Sequence, residues 1–241
     1  MSDRKIVCLD PGHGPDTVNG SPDGSYKERE FTWDLYLRLR VLLEEQGIAV
    51  VGTRGEDEKP GLTDRAEVSN KAGADLFVSL HTNAAGNDGW YDPKGLMIYT
   101  SSGPITAPRN QAALDILAQA RAAGIEIWGS GLAYEGYTVL TKTAAPAVLI
   151  EFGFHTNREE AELLKSEAYR DRLALAVAKG VCDFLGVTWQ DTEEREDTPA
   201  PWAAEAWEKA VRAGVLDGTR PWAPLTRQEL AVVLDRLGLL S

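Results

Sequence analysis

His13, His81 and His155 are the only histidines in 241 residues, so any chemistry that needs an imidazole has almost no choice of residue. Two of them follow short apolar runs that read as strands. His13 comes after Lys5-Ile-Val-Cys-Leu9, and His81 closes Asp75-Leu-Phe-Val-Ser-Leu-His81. Glu151 closes a third such run, Ala147-Val-Leu-Ile-Glu151. In an open α/β sheet the carboxyl ends of parallel strands share one edge, and ligands bind there. Parallel pairing would therefore bring His13, His81 and Glu151 to a common rim. Glu28 opens the first long helix, and the Gly-, Pro- and Ser-rich loop of residues 14–27 before it could fold it back over the same rim.

Two imidazoles and one carboxylate are the protein ligands of a hydrolytic zinc site, whose fourth position is left to water. Zinc lowers the pKa of bound water from roughly 16 towards about 7. A second, non-ligand glutamate must then take the water's proton and pass it to a leaving amine, and Glu151 is the candidate. Each residue taken alone also has a plainer reading. A histidine at a strand end is commonly a hydrogen-bonded structural residue, and a glutamate at a helix start commonly serves the helix dipole. The ligands are dispersed, with no local signature such as two histidines four apart on one helix.

The elements that must position these groups follow from periodicity. Phe31, Leu35, Leu39, Leu42 and Leu43 mark a helix from Glu28, with Gly47 placed to end it in a left-handed conformation. Ile48 to Val51 reads as a strand. Leu62 to Ala72 suits a helix with Thr63 as N-cap and Gly73 at its end. Leu96 to Thr100 is a strand, residues 109–122 an Ala-rich helix, and residues 158–165 and 167–185 two further helices. Strands alternating with helices, several of them continuously apolar, predict an α/β domain: a twisted, mostly parallel sheet with helices on both faces.

Composition narrows the function. Thirty-seven acidic residues outnumber 25 basic ones, for a net charge of −12 with no basic tract, which argues against a nucleic-acid partner. No apolar run approaches the roughly 20 residues of a membrane span. Cys8 and Cys182 sit among apolar neighbours and read as buried reduced thiols, too few for a disulfide framework. Met1-Ser-Asp-Arg-Lys5 passes into the short apolar run Ile6 to Leu9, too short for a signal peptide. The expectation is synthesis in the cytoplasm without an export signal.

Asp10-Pro-Gly-His-Gly14, Lys27-Glu28, Thr53-Arg54, Leu62-Thr-Asp-Arg65, Ser79-Leu-His-Thr-Asn83 and Pro146-Ala-Val-Leu-Ile-Glu-Phe-Gly-Phe154 resemble the ordered motifs of the zinc-dependent N-acetylmuramoyl-L-alanine amidases, often called amidase type 3. The resemblance runs from about residue 4 to residue 186. It implies an α/β fold and hydrolysis of the amide between the lactyl group of N-acetylmuramic acid and L-alanine in peptidoglycan. Carried over motif by motif, one zinc ion falls on His13, Glu28 and His81, and the catalytic glutamate on Glu151. Asn83 could bond the peptide stem or cap a loop. His155 is either a substrate-cleft residue or a structural surface histidine. Arg54 and Arg65 belong to the motifs but are explained as well by buried ion pairs. Trp90 and Tyr91 could stack on sugar or be loop aromatics without a role.

The composition changes after residue 188. Residues 189–200, of which Gln190 to Pro199 hold five acidic residues, one basic and none apolar, read as a linker between a catalytic domain of residues 1–188 and a small all-α unit of residues 201–241. In that unit helices are predicted over Ala203 to Ala213 and Thr226 to Leu237. Pro201-Trp-Ala-Ala-Glu-Ala-Trp207, Ala213-Gly214, Asp217-Gly218 and Pro224-Leu-Thr-Arg-Gln-Glu-Leu230 resemble one surface-layer homology motif. That resemblance implies a module binding secondary cell-wall polysaccharide, with Arg227 as a contact. Such modules usually come in three copies, so a single one points to self-association or to another role, such as a helical hairpin packed on the catalytic domain. An extracytoplasmic substrate without an export signal fits a phage endolysin, with a host autolysin or a spore-related amidase as the alternative.

Overall fold

A computed structural model describes residues 4–86, 89–191, 204–216, 232–235 and 237. The chain divides into two compact units, Met1–Gln190 and Asp191–Ser241. The first unit holds six strands, β1 (Ile6–Pro11), β2 (Ala49–Gly52), β3 (Leu76–Asn83), β4 (Leu96–Thr100), β5 (Ile127–Tyr134) and β6 (Ala147–Phe154). Its helices are α1 (Glu28–Glu45), α2 (Leu62–Ala72), α3 (Pro108–Ala122), the single turn α4 (Thr138–Thr141), α5 (Arg158–Lys165) and α6 (Glu167–Leu185).

The sheet order is β2-β1-β3-β6-β4-β5. β2, β1, β3 and β6 run parallel, β4 pairs antiparallel with β6, and β5 runs parallel to β4. The expected mostly parallel α/β sheet with helices on both faces is therefore what the chain forms.

Strand side chains alternate between faces, and that alternation sorts the core. Val7, Leu9, Leu76, Val78, Leu80, Val148, Ile150 and Phe152 pack with Phe31, Leu35 and Leu39 of α1, Ile116 of α3 and Val177 of α6. The intervening Cys8, Phe77, Ala147 and Leu149 pack on the other side with Val139 and Leu140 of α4. Each fully buried Leu, Ile or Phe contributes about 1.5–3 kcal/mol to holding its layer. On the α4 side the apolar run stops before each strand does. Asp10, Ser79, His81 and Glu151 continue the same face towards the strand ends, so polar groups gather on the side covered by α2 and the single turn α4.

Several boundaries differ from the sequence expectation. His81 and Glu151 do not close their strands: β3 continues to Asn83 and β6 to Phe154, with a register shift between His81 and Asn83. Helix α2 is capped by Gly61 rather than Thr63, and the Asp64 carboxylate accepts the Gly61 N–H at 3.1 Å. Gly47 and Gly73 do take left-handed conformations at φ 79° and 62°. Both cysteines are buried and free. No helix among the described residues is long and apolar enough to cross a membrane.

In the second unit, α7 (Ala204–Arg212) and a helical stretch at 232–235 are described. The acidic segment from residue 192 onward, most of the second expected helix, and Arg227 lie outside the described residues.

Candidate metal centre and active site

The loop after β1 turns sharply at His13, which sits at φ 62°. That region costs a residue with a Cβ about 1–3 kcal/mol and persists only where neighbours over-determine it. Here they do. Arg65 Nη1 donates to the Asp10 carboxylate (2.7 Å) and the Pro11 carbonyl (2.8 Å), while Nη2 donates to the carbonyl of His13 itself (2.5 Å). Arg54 donates from Nε to the Pro11 carbonyl (2.9 Å) and from Nη2 to that of Gly12 (3.3 Å). The Thr32 hydroxyl, from α1, also donates to Gly12 (2.8 Å). Asp10 accepts from Thr53 (2.5 Å) and Ser79 (2.6 Å) as well. Arg65 thus forms the expected buried ion pair, whereas Arg54 spends its donors on backbone carbonyls.

Gly12 cannot carry a side chain, because a Cβ would lie 2.4 Å from His81 Cε1 and 2.6 Å from Nε2. The His81 ring therefore rests on bare backbone, 4.9 Å from the His13 ring centroid to centroid. Glu28 reaches the pair because the loop of residues 14–27 closes on itself. Gly20 bridges Lys27, and the Glu28 N–H donates to the Asn19 carbonyl at 3.0 Å. The side chain, 1% exposed, is not a dipole-serving surface carboxylate.

Glu28 Oε1 accepts the Thr82 backbone N–H (2.8 Å) and lies 3.0 Å from His81 Nδ1. Oε2 lies 3.0 Å from His13 Nε2. Beyond that close approach Oε2 has no hydrogen-bond partner among the described residues. His13, Glu28 and His81 each offer one ligand atom within 4.8 Å of the others, a group that could hold a metal ion. Burial alone would raise the Glu28 carboxyl, but the two imidazoles outweigh it and hold the group well below the usual carboxylate range. Burial likewise depresses His81, and Glu28 reverses this, pushing the imidazole up to about 8.

Glu151 is the register partner of His81 on the neighbouring strand. Its Oε2 is buried without a partner. Burial pushes the carboxyl up to about 7, with Glu28 adding to the rise and His81 opposing it. All four residues line one cleft of about 810 Å³, together with Asn83, His155 and the α4 rim residues Tyr137 and Val139. The rim was not legible in the sequence, because a single helical turn has no periodicity to detect.

Asn83, the last residue of β3, lines the cleft: its Oδ1 accepts the Ala84 N–H (2.8 Å) and its Nδ2 donates to Met97 Sδ (3.3 Å). His155 is 5% exposed, so it is not a surface histidine. Trp90 and Tyr91 do not line this cleft. Trp90 lies under the Arg158 guanidinium, 4.4 Å from ring centroid, in a neighbouring concavity. Tyr91 covers Gly86, where a Cβ would come within 2.1 Å of its ring.

The family model described as N-acetylmuramoyl-L-alanine amidase, Amidase_3, matches residues 7–183. The chain is 35% identical over 178 residues to the N-acetylmuramoyl-L-alanine amidase CwlM of Bacillus licheniformis, covering 73% of this chain and 66% of that protein. It therefore spans just under two thirds of that relative's length. It is 32% identical over 202 residues to the endolysin of Bacillus phage SPP1, covering 81% and 73%. The solved catalytic domain of the N-acetylmuramoyl-L-alanine amidase CwlV from Bacillus (Paenibacillus) polymyxa var. colistinus superposes with a TM-score of 0.68 at 28% identity, covering 76% of this chain and 99% of that one. With more than half its length matched in sequence and its sheet matched in space, the chain belongs to the Amidase_3 family of N-acetylmuramoyl-L-alanine amidases.

Proposed function

We propose that the chain is a zinc-dependent hydrolase that cleaves the amide between N-acetylmuramic acid and L-alanine in peptidoglycan. The observation that carries this reading is the convergence of His13, Glu28 and His81 within 4.8 Å of one another, beside a buried Glu151 on the next strand. The three residues fit zinc on two counts. Two imidazoles and a carboxylate are the donor set zinc takes in open hydrolytic sites. Glu28 Oε2 is also buried without a donor, a cost of about 1–3 kcal/mol that a cation would remove. Bound there, zinc would supply Lewis acidity, polarising the scissile carbonyl and acidifying water.

The remaining work falls to the chain's own side chains. The Thr82 N–H fixes the orientation of Glu28, as outer-shell donors do for metal-ligating carboxylates. Arg54 and Arg65 hold the loop that presents His13. Glu151 is raised to about 7 in the metal-free chain, and a cation bound nearby would lower it towards the carboxylate form that accepts a proton. Its carboxylate takes the proton of the attacking water as the C–O bond forms. It returns that proton to the L-alanine nitrogen as the C–N bond breaks.

Likeness to the SPP1 endolysin supports a phage endolysin acting on the cell wall after release. Likeness to bacterial amidases, among them a sporulation-specific one of Bacillus subtilis (strain 168) that is 29% identical over 177 residues, supports the alternative, a host autolysin or spore-related amidase. For residues 201–241 we keep the sequence-based proposal of a unit that binds secondary cell-wall polysaccharide or self-associates, tested by wall pelleting and light scattering of the full chain. The metal reading is tested by stripping the protein with a chelator, assaying it on purified peptidoglycan, and restoring zinc. Loss and recovery of hydrolysis are expected; full activity in protein shown to be metal-free would overturn it.

A further inference from the structure

His155 lines both the cleft and a second concavity of about 600 Å³, whose wall includes Asn19, Asp23 and Trp90. Its ring stacks on Tyr26, 6.0 Å between centroids and 23° between planes. The Tyr26 hydroxyl donates to Thr82 Oγ1 at 3.1 Å, and the same Oγ1 lies 3.0 Å from His155 Nδ1. A hydroxyl has one proton to give. Thr82 Oγ1 accepts from Tyr26 with one of its two lone pairs and keeps its single proton to give; given to Nδ1, that proton leaves the imidazole's own on Nε2. Among the described residues Nε2 has no hydrogen-bond partner, and it is not sealed in. Burial lowers the imidazole's pKa and His13 adds to the fall, while the Glu28 charge and the Thr82 backbone oppose it.

We propose that His155 is a substrate-positioning residue whose Nε2–H donates to an amide carbonyl oxygen of the muramoyl-peptide, where the polymer crosses from the catalytic cleft into the second concavity. The identity of that ligand rests on the amidase reading. The scissile carbonyl itself belongs beside Glu151 and the His13–Glu28–His81 group, so the oxygen bound by His155 is a different one. An uncharged donor suits an uncharged carbonyl in a site this buried. Tyr26 and Thr82 position the ring by fixing its tautomer. A contact made equally in ground and transition states changes KM and leaves kcat alone.

The test has two arms. Nitrogen NMR of the ¹⁵N-histidine-labelled protein at neutral pH, with the His155 signals assigned by their absence from His155→Gln, is expected to show Nε2 protonated and Nδ1 bare. Thr82→Val should mix the tautomers. In the second arm, binding of N-acetylmuramoyl-L-alanyl-D-isoglutamine is measured in a Glu151→Gln background, which prevents turnover. Adding His155→Leu should weaken binding about 5- to 15-fold, the worth of one neutral hydrogen bond. Adding His155→Gln, which keeps an N–H at similar reach, should stay within about threefold. N-acetylmuramic acid and L-alanyl-D-isoglutamine used separately show whether the carbonyl lies on the sugar or the peptide, since only its carrier should respond to His155→Leu. A proton on Nδ1, or binding by His155→Leu within twofold of its parent, overturns the proposal. Failure of the amidase reading looks different: the wild-type chain then leaves peptidoglycan uncut while the tautomer and binding results stand.

Discussion

His81 and Glu151 are direct partners across the parallel strands β3 and β6, so the sheet itself sets the spacing between a proposed metal ligand and the proposed proton carrier. Neither residue depends on a mobile loop for its place. The two are also coupled electrically: Glu151 contributes to raising His81, and His81 holds Glu151 below where burial alone would put it.

This pairing separates two losses of function. Glu151→Gln keeps the shape and all three ligands, so zinc content by elemental analysis should remain near that of the wild type. Hydrolysis should fall by about 10²–10⁴-fold, the range for a positioned general acid–base group. His81→Ala should lose the zinc as well. A Glu151→Gln protein that turns over at a near-normal rate would remove Glu151 from the mechanism.

Gly12→Ala tests the metal centre without touching a ligand. The new Cβ must displace the His81 ring, which it would otherwise meet at 2.4 Å, and ease away from the Leu80 carbonyl oxygen at 2.6 Å. The variant is expected to fold, to bind zinc at least about tenfold more weakly, as perturbed ligand orientation commonly does, and to lose activity in step. Unchanged zinc affinity in a competition titration would mean that the His81 ring does not depend on this contact.

Arg65→Met addresses the loop. It leaves the Asp10 carboxylate, 1% exposed, without its guanidinium, frees the carbonyl of His13 and leaves that of Pro11 to Arg54 alone. Breaking a buried pair in this way costs about 3–5 kcal/mol, readable as a lower urea midpoint. Zinc affinity of the folded fraction should fall too, because His13 would no longer be held at positive φ. A stability change under about 1 kcal/mol would contradict the assignment.

Stability of the metal-free protein should depend on pH through Glu151. Its carboxyl rises from 4.5 to about 7 on folding, so the folded chain holds a proton that the unfolded chain has released between those values. The stability it contributes is fully present below the unfolded value and is lost as pH rises through the folded one. Glu151→Gln mimics the protonated form. Its melting temperature should match the parent's near pH 4.5 and exceed it by several degrees near pH 8, at about 2–4 °C per kcal/mol. The same difference at both pH values would show that Glu151 is not shifted.

Much of this arrangement is legible in the sequence because the relevant strands open as short apolar runs that lead into functional groups. β1, β3 and β6 were readable as runs, α1 and α6 as periodic helices, and His13, His81 and Glu151 fell on one rim because those strands are parallel. What escaped has physical reasons. β5 carries Gly129 and Gly131 beside exposed Trp128 and Ser130 at the sheet edge, so it lacks both apolar continuity and alternation. The antiparallel entry of β4 depends on the chain path rather than on its residues. The burial of His155 depends on Tyr26 and Thr82, which are distant in sequence and meet it only in the fold.

The central claim is settled most directly by the bonds that the protein breaks. Purified peptidoglycan is digested by the full chain, new amino termini are labelled and identified, and new reducing sugars are measured in parallel. New amino-terminal L-alanine without new reducing ends is expected. New reducing ends, or amino termini on any other residue, would contradict it.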